Sequence, residues 1–130
     1  MTRQCVVSPN GPPAVGPYSS AVIANGFVFT SGQLALAPDG SGPRHGTIEE
    51  ETELAMANLR AVLEDSGSGL DRVVKTTVYL TDMAEFQRFN AVYQTFFPSD
   101  PPARTCIQVA ALPLGMRVEV EAVATVQGGS

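Results

Sequence analysis

The sequence predicts an α+β fold, one mixed β-sheet with two helices packed side by side on one face. Three observations predict it. Asn25-Gly26 sits between two apolar runs, Ala21–Ala24 and Phe27–Gly32; this is a strong hairpin signal, because both residue types tolerate positive φ. Two segments, opening at Thr47 and at Asp82, carry helix-capping residues followed by apolar residues at helical spacing. Around them lie β-branched or alternating runs at Val73–Leu80, after Pro102, and from Arg117 to Val126.

The elements follow in order. Residues 2–7 read as a short first strand, followed by a Pro/Gly-rich stretch through Gly16-Pro17-Tyr18 and then the hairpin. Ala37 to Gly46 reads as a polar surface loop. Thr47-Ile48-Glu49-Glu50 fits a capping box, in which the threonine oxygen takes one orphan N–H and Glu50 reaches back to another. Ala55, Leu59, Val62 and Leu63 form the buried stripe of this first helix, and Gly67 stops it. Glu49, Glu50, Glu51 and Glu53 read as its solvated first turns, where the helix dipole favours negative charge.

Asp82 caps the second helix, Phe86, Phe89, Tyr93 and Phe96 give it a core face, and Pro98 ends it. In the strand after Pro102, Arg104, Cys106, Gln108 and Ala110 share one side, whereas Thr105, Ile107 and Val109 share the other and read as core. After a turn at Leu112–Gly115, the last strand sets Val118, Val120, Ala122, Ala124 and Val126 on one side and Arg117, Glu119 and Glu121 on the other. Two helices on one sheet face leave the opposite face open. A patch that large is seldom exposed in a monomer, so closed homo-oligomerisation is expected.

Size and composition narrow the function. A chain of 130 residues with 44% hydrophobic residues suits one domain with a real core. Its net charge of −5 argues against a nucleic-acid coat, which needs a basic stripe to displace counterions. Cys5 and Cys106 are too few for a disulfide scaffold and show no Cys-x-x-Cys spacing, so a reducing cytoplasmic setting is expected. The N-terminal residues lack the apolar run of a signal peptide, and no stretch approaches the ~18 apolar residues of a membrane span. His45 is the single histidine, in a remote-looking loop at Gly40–Gly46, so no metal site is expected.

The chemistry centres on Pro102-Ala103-Arg104-Thr105-Cys106. A guanidinium offers five donors in a rigid fork that fits a carboxylate in bidentate fashion. Spacing alone allows two roles for Arg104: gripping a planar anionic ligand, or bridging to an acidic residue across an interface. Cys106 beside it invites a covalent mechanism, but a nucleophilic cysteine needs a base next to it, and the sequence offers only His45.

Six motifs carry a resemblance. They are Gly16-Pro17-Tyr18-Ser19, Ser31-Gly32-Gln33, the run Val74–Met83, the run Phe89–Phe97, Pro102–Cys106, and Val118–Ala124. Taken together and in this order, they resemble the Rid/YjgF family, the reactive intermediate deaminases. The resemblance implies a chorismate-mutase-like (YjgF-like) fold over residues 1–130 as a single domain. It also implies a homotrimer around a central barrel, with three sites in clefts between subunits. The implied reaction is hydrolysis of 2-aminoacrylate and related enamines and imines to 2-keto acids and ammonia. Such substrates are released by pyridoxal-phosphate-dependent serine and threonine dehydratases, and the hydrolysis needs no metal or organic cofactor.

By the same resemblance Arg104 would bind the substrate carboxylate, as in the deaminase-competent members. Tyr18, Ser31, Gly32, Asn90, Cys106 and Glu119 would line the pocket, and Glu119 would orient or deprotonate the water. Periodicity leaves Glu119 and Glu121 equivalent; the family pattern selects Glu119. Three other readings compete: a specialised catabolic deaminase on the same fold, a non-catalytic ligand-binding or holdase protein, and the ribonuclease activity that some relatives are credited with. For the last, the acidic balance and lone His45 offer little.

Overall fold

In the computed structural model, which describes residues 2–126, Asn25 and Gly26 take φ of 55° and 80°. Positive φ at both positions matches the twist of the strands they join, β2 (Ala21–Ala24) and β3 (Phe27–Thr30). β1 (Gln4–Val6) adds to β2 at one edge. β6 (Val118–Thr125) inserts between β3 and β4 (Val73–Leu80), and β5 (Ala103–Gln108) forms the other edge. The sheet order is therefore β1-β2-β3-β6-β4-β5, and only the β4–β5 pair is parallel. A parallel pair needs a long crossover, which α2 (Phe86–Phe96) supplies. The fold is α+β, with a mixed sheet and two helices. No described helix is long and apolar enough to cross a membrane.

α1 (Ile48–Asp65) begins as its capping box requires. Thr47 Oγ1 accepts from the Glu50 N–H at 3.1 Å, and the Glu50 carboxylate accepts from the Thr47 N–H at 2.9 Å. It ends in a Schellman motif: Gly67 takes φ 79°, its N–H donates to Glu64 O, and the Ser68 N–H donates to Leu63 O. Ala55, Leu59, Val62 and Leu63 are all fully buried, against Val28, Val118, Val120 and Ala124 of the sheet.

Several expectations change. The segment after Asp82 is two pieces, a 3-10 turn at Met83–Glu85 and then α2. Phe89 and Tyr93 are buried as expected. Phe86 and Phe96 are only partly buried, and Phe97, just past the helix end, is buried instead. The faces of β5 are reversed relative to the sequence reading. Arg104 and Cys106 turn toward the helix layer, and Thr105 and Ile107 face outward, with Ile107 44% exposed. Alternation defines two sides of a strand but not which of them the helices cover. Arg117 lies before β6 and leaves the Glu119 side, reaching Gly46 O, Glu51 and Glu85.

Glu51 is not solvated; it is 1% exposed. Its carboxylate accepts from the Arg117 backbone N–H at 2.8 Å and lies 3.7 Å from the Arg117 guanidinium. It thereby ties the start of β6 to α1. Glu51→Ala strands that N–H in a closed site, where an unpaired group costs about 1–3 kcal/mol. The urea midpoint should fall by a corresponding amount; an unchanged midpoint would show that water replaces the carboxylate.

The outward sheet face is mixed, with an apolar part on β2, β3 and β6. Cross-strand register puts Val22, Phe29, Val123, Lys75 and Ala103 on it in one row, with Phe27, Thr77, Tyr79, Ile107, Glu119 and Glu121 on the same side. Phe29 is 46% exposed, so much of this apolar surface remains uncovered by the chain itself.

Candidate active site

The sequence-predicted residues fall into two groups. The first gathers on the helix side at the β5 edge. Arg104 lies partly buried there, with its guanidinium carbon 4.9 Å from the Tyr93 ring centroid and 5.4 Å from that of Phe86. Nη1 donates to Asn90 Oδ1 at 2.8 Å, so Asn90 holds the guanidinium rather than capping backbone. Tyr93 is itself fixed by a 2.8 Å hydrogen bond between its hydroxyl and that of Thr76. Among the described residues no carboxylate pairs with Arg104, and its remaining N–H groups have no partner. A planar cation kept flat on aromatic rings loses little freedom on meeting an anion.

Cys106 stands two residues along on the same side and is half-buried. Burial pushes its thiol pKa up, against the opposing pull of Arg104. The thiol form is favoured, and the nucleophilic thiolate is scarce. His45 is less remote than its loop suggests: its Cε1 lies 3.8 Å from where a Cβ on Gly115 would stand. It does not line the cavity described next.

The second group surrounds a cavity of about 450 Å³ walled by Tyr18, Ser31, Gly32 and Glu119, with Leu36 and Leu114 beyond them. β3 ends at Thr30, and the chain is then pinned over β6 by paired backbone bonds between Gln33 and Val120. Asn58 of α1 holds this segment from below by donating to Leu34 O and Leu36 O. Ser31 Oγ donates to Ser19 O at 2.6 Å and so anchors the Tyr18 loop. Tyr18 is 48% exposed, and its hydroxyl accepts from the Val15 N–H.

Gly32 leaves room for the Glu119 side chain, which lies against it. A Cβ there would stand 2.6 Å from Glu119 Cδ and closer still to Oε2. Glu119 makes no hydrogen bond among the described residues, whereas Glu121 accepts from Tyr79 Oη at 2.9 Å. The two carboxylates that periodicity leaves equivalent are thus separated by their surroundings. Burial, and then the Glu121 charge, push the Glu119 pKa above the usual carboxylate range. A neighbouring cavity of about 560 Å³, under the Pro9–Pro13 loop, shares Tyr18 but has only Asp39 as a charged wall.

The two groups do not meet within one chain. Arg104 pairs across the sheet with Thr76 and Ala122, which face the helices; Glu119 pairs with Tyr79 and Ile107, which face outward. The sequence reading missed two contributions. Phe86, Phe89 and Tyr93 were expected only as core, yet they form the bed of Arg104. Val15, Leu34, Leu36, Pro113 and Leu114 were not expected at the cavity. For the last two, the available signal is an apolar residue, Leu114, set between Pro113 and Gly115 in a turn.

The family described as Endoribonuclease L-PSP matches residues 8–126. The chain is 44% identical over 126 residues to a mouse protein named 2-iminobutanoate/2-iminopropanoate deaminase, covering 97% of this chain and 93% of that one. It is 42% identical over 123 residues to the chloroplastic Reactive Intermediate Deaminase A of Arabidopsis thaliana, covering 95% of this chain and 66% of that one. The structure of E. coli TdcF with bound serine superposes with a TM-score of 0.89 at 33% identity, covering 94% of this chain and 98% of TdcF. The matched family model, the sequence identity and the superposition agree over nearly the whole length: the chain belongs to the Rid/YjgF family, the L-PSP endoribonuclease-like proteins.

Proposed function

We propose that this chain is a deaminase that hydrolyses 2-imino acids and their enamine tautomers, such as 2-aminoacrylate, to 2-keto acids and ammonia. The observation that carries the reading is Arg104: a guanidinium laid on aromatic rings, steadied by Asn90, with its outer edge unpaired. That edge suits the carboxylate of an imino acid. The names of the mouse and Arabidopsis relatives support the same chemistry, and the serine bound to TdcF is a carboxylate-bearing amino acid.

Arg104 and Glu119 leave opposite faces of one sheet, so a second copy must bring them together. The exposed apolar part of the outward face provides the surface for a closed homotrimer. Arg104 of one copy would then hold the substrate carboxylate over the neighbour's Glu119. The imine nitrogen is protonated, water adds to C2, and Glu119 takes the proton the water loses. That proton passes to nitrogen; as the C–N bond breaks, Glu119 takes the hydroxyl proton, C2=O forms as the 2-keto acid, and the ammonia released carries that last proton away as ammonium. Much of the rate gain would come from holding the reactants in place. A carboxylate whose pKa is raised toward neutrality is also a better proton acceptor than an ordinary one. Cys106, held as a thiol, would shape the pocket without forming a covalent bond.

The test is direct. Purified protein added to 2-imino acids generated in place by a dehydratase or an oxidase should speed release of keto acid and ammonia. Light scattering should report three chain masses. Equal keto-acid rates with and without the protein would remove the deaminase reading, and a stable monomer would remove the shared site.

A further inference from the structure

Thr76, Val78 and Leu80 of β4 face the helices fully buried, and of the three only Thr76 is polar. Its hydroxyl lies 2.8 Å from that of Tyr93, which is also buried, so two hydroxyls are shut into the apolar core with one hydrogen bond between them. Valine and phenylalanine would fill the same space with no group to satisfy. Compared with them, the hydroxyl pair contributes little net stability, because one bond offsets the desolvation of two groups. What the bond adds is a fixed geometry. Its place in the sheet gives that geometry a use. Thr76 stands opposite Arg104 in the β4–β5 register. Of the three rings beneath the guanidinium, that of Tyr93 is nearest, at 4.9 Å against 5.4 Å for Phe86 and 5.9 Å for Phe89. Phe89 and Phe97 pack against the Tyr93 ring, with centroids 5.3 and 5.0 Å away.

We propose that the buried Thr76–Tyr93 hydroxyl pair is a positioning device for Arg104: it holds the ring under the guanidinium at one height and tilt, and so fixes where the donor fork points. A tyrosine tied at Cβ to α2 and at its hydroxyl to β4 cannot swing its face away from the cation, whereas a phenylalanine is held at one end only. Asn90 fixes one nitrogen of the fork, and the ring fixes its plane. Burial pushes the Tyr93 phenol pKa up, so both hydroxyls stay neutral near pH 7. Thr76 and Tyr93 are positioning residues that act through Arg104. That Arg104 grips a substrate carboxylate rests on the deaminase reading, whereas the ordering of its side chain does not.

The test compares Thr76→Val/Tyr93→Phe, which removes both hydroxyls, with Thr76→Ser, which keeps the pair. The double variant leaves no hydroxyl of the pair unpartnered, so its urea midpoint should match wild type. Its KM for the imine generated in place from alanine by excess amino-acid oxidase should rise about tenfold, with kcat within about threefold. A loosened grip weakens binding more than it alters the reaction at C2. The Arg104 Nε–H order parameter, read by nitrogen relaxation NMR, should fall toward that of a solvent-exposed arginine. Thr76→Ser should keep the wild-type order parameter and a KM within about twofold. A merely structural pair predicts instead that the double variant equals wild type in both quantities. Either quantity unchanged in the double variant overturns the positioning and leaves the deaminase reading standing. Should the double variant not fold, Tyr93→Phe alone is read in the same way. If wild type does not accelerate hydrolysis, the deaminase reading falls and the order parameter alone decides the positioning.

Discussion

Arg104→Lys is expected to lower kcat/KM for a 2-imino acid by about two orders of magnitude or more, with the fold intact. A hydrogen bond to a charged group contributes about 1.5–3 kcal/mol, and a bidentate grip makes two. Lysine keeps the charge but loses the fork and the flat face that rests on Tyr93 and Phe86. Its ammonium would also pull on Asn90 Oδ1 as a point charge and leave the carboxylate free to swing. The loss should appear in both kcat and KM, because a mis-set carboxylate binds weakly and presents C2 badly. Circular dichroism and oligomer mass should match wild type, since β5 is an edge strand and Arg104 makes no ion pair among the described residues. A variant within about threefold of wild type would show that charge alone suffices, and would remove the fork from the mechanism.

Legibility in the sequence follows how local each cause is. The hairpin at Asn25-Gly26 and the box at Thr47 and Glu50 depend on residues within a few positions, and both are present with the bonds their residue types require. The core stripe of α1 follows from helical spacing alone. The facing of β5 does not: a period of two is the same whichever side is covered, so Ile107 reads as core while Arg104 takes the helix side. Glu51 reads as one more dipole-complementing acid because its partner, Arg117, is 66 residues away. The apolar wall of the Glu119 cavity is the least visible feature. Val15, Leu36 and Leu114 lie in three separate loops that only the folded sheet brings together. The choice of Glu119 over Glu121 needs the same tertiary information, because Tyr79 occupies one carboxylate and Gly32 makes room for the other.

Glu119→Gln is expected to lower kcat by about 10²–10⁴-fold, the usual scale for removing a general base, and at the same time to raise stability near neutral pH. The stability sign follows from the raised pKa in the fold. A carboxyl whose folded pKa exceeds its unfolded value favours the fold when protonated. That contribution is complete below the unfolded value of about 4.3 and is lost as pH rises through the folded one. At pH 7 that contribution is reduced by the titration of Glu119, which therefore works against folding, and glutamine removes the burden. Urea midpoints should rise for the variant at pH 7 and converge with wild type near pH 4. The same variant tests where the site lies. Arg104→Ala lacks the grip and Glu119→Gln lacks the base, so each alone is inactive. Each site of a trimer would draw Arg104 from one copy and Glu119 from its neighbour. Refolding the two variants together in equal amounts would then reunite both residues in about one site in four, returning about a quarter of wild-type activity. A mixture as inactive as its parents, despite mixed trimers by mass, would mean that the two residues never share a cleft. The opposite sheet faces from which they emerge would then mark two unrelated surfaces.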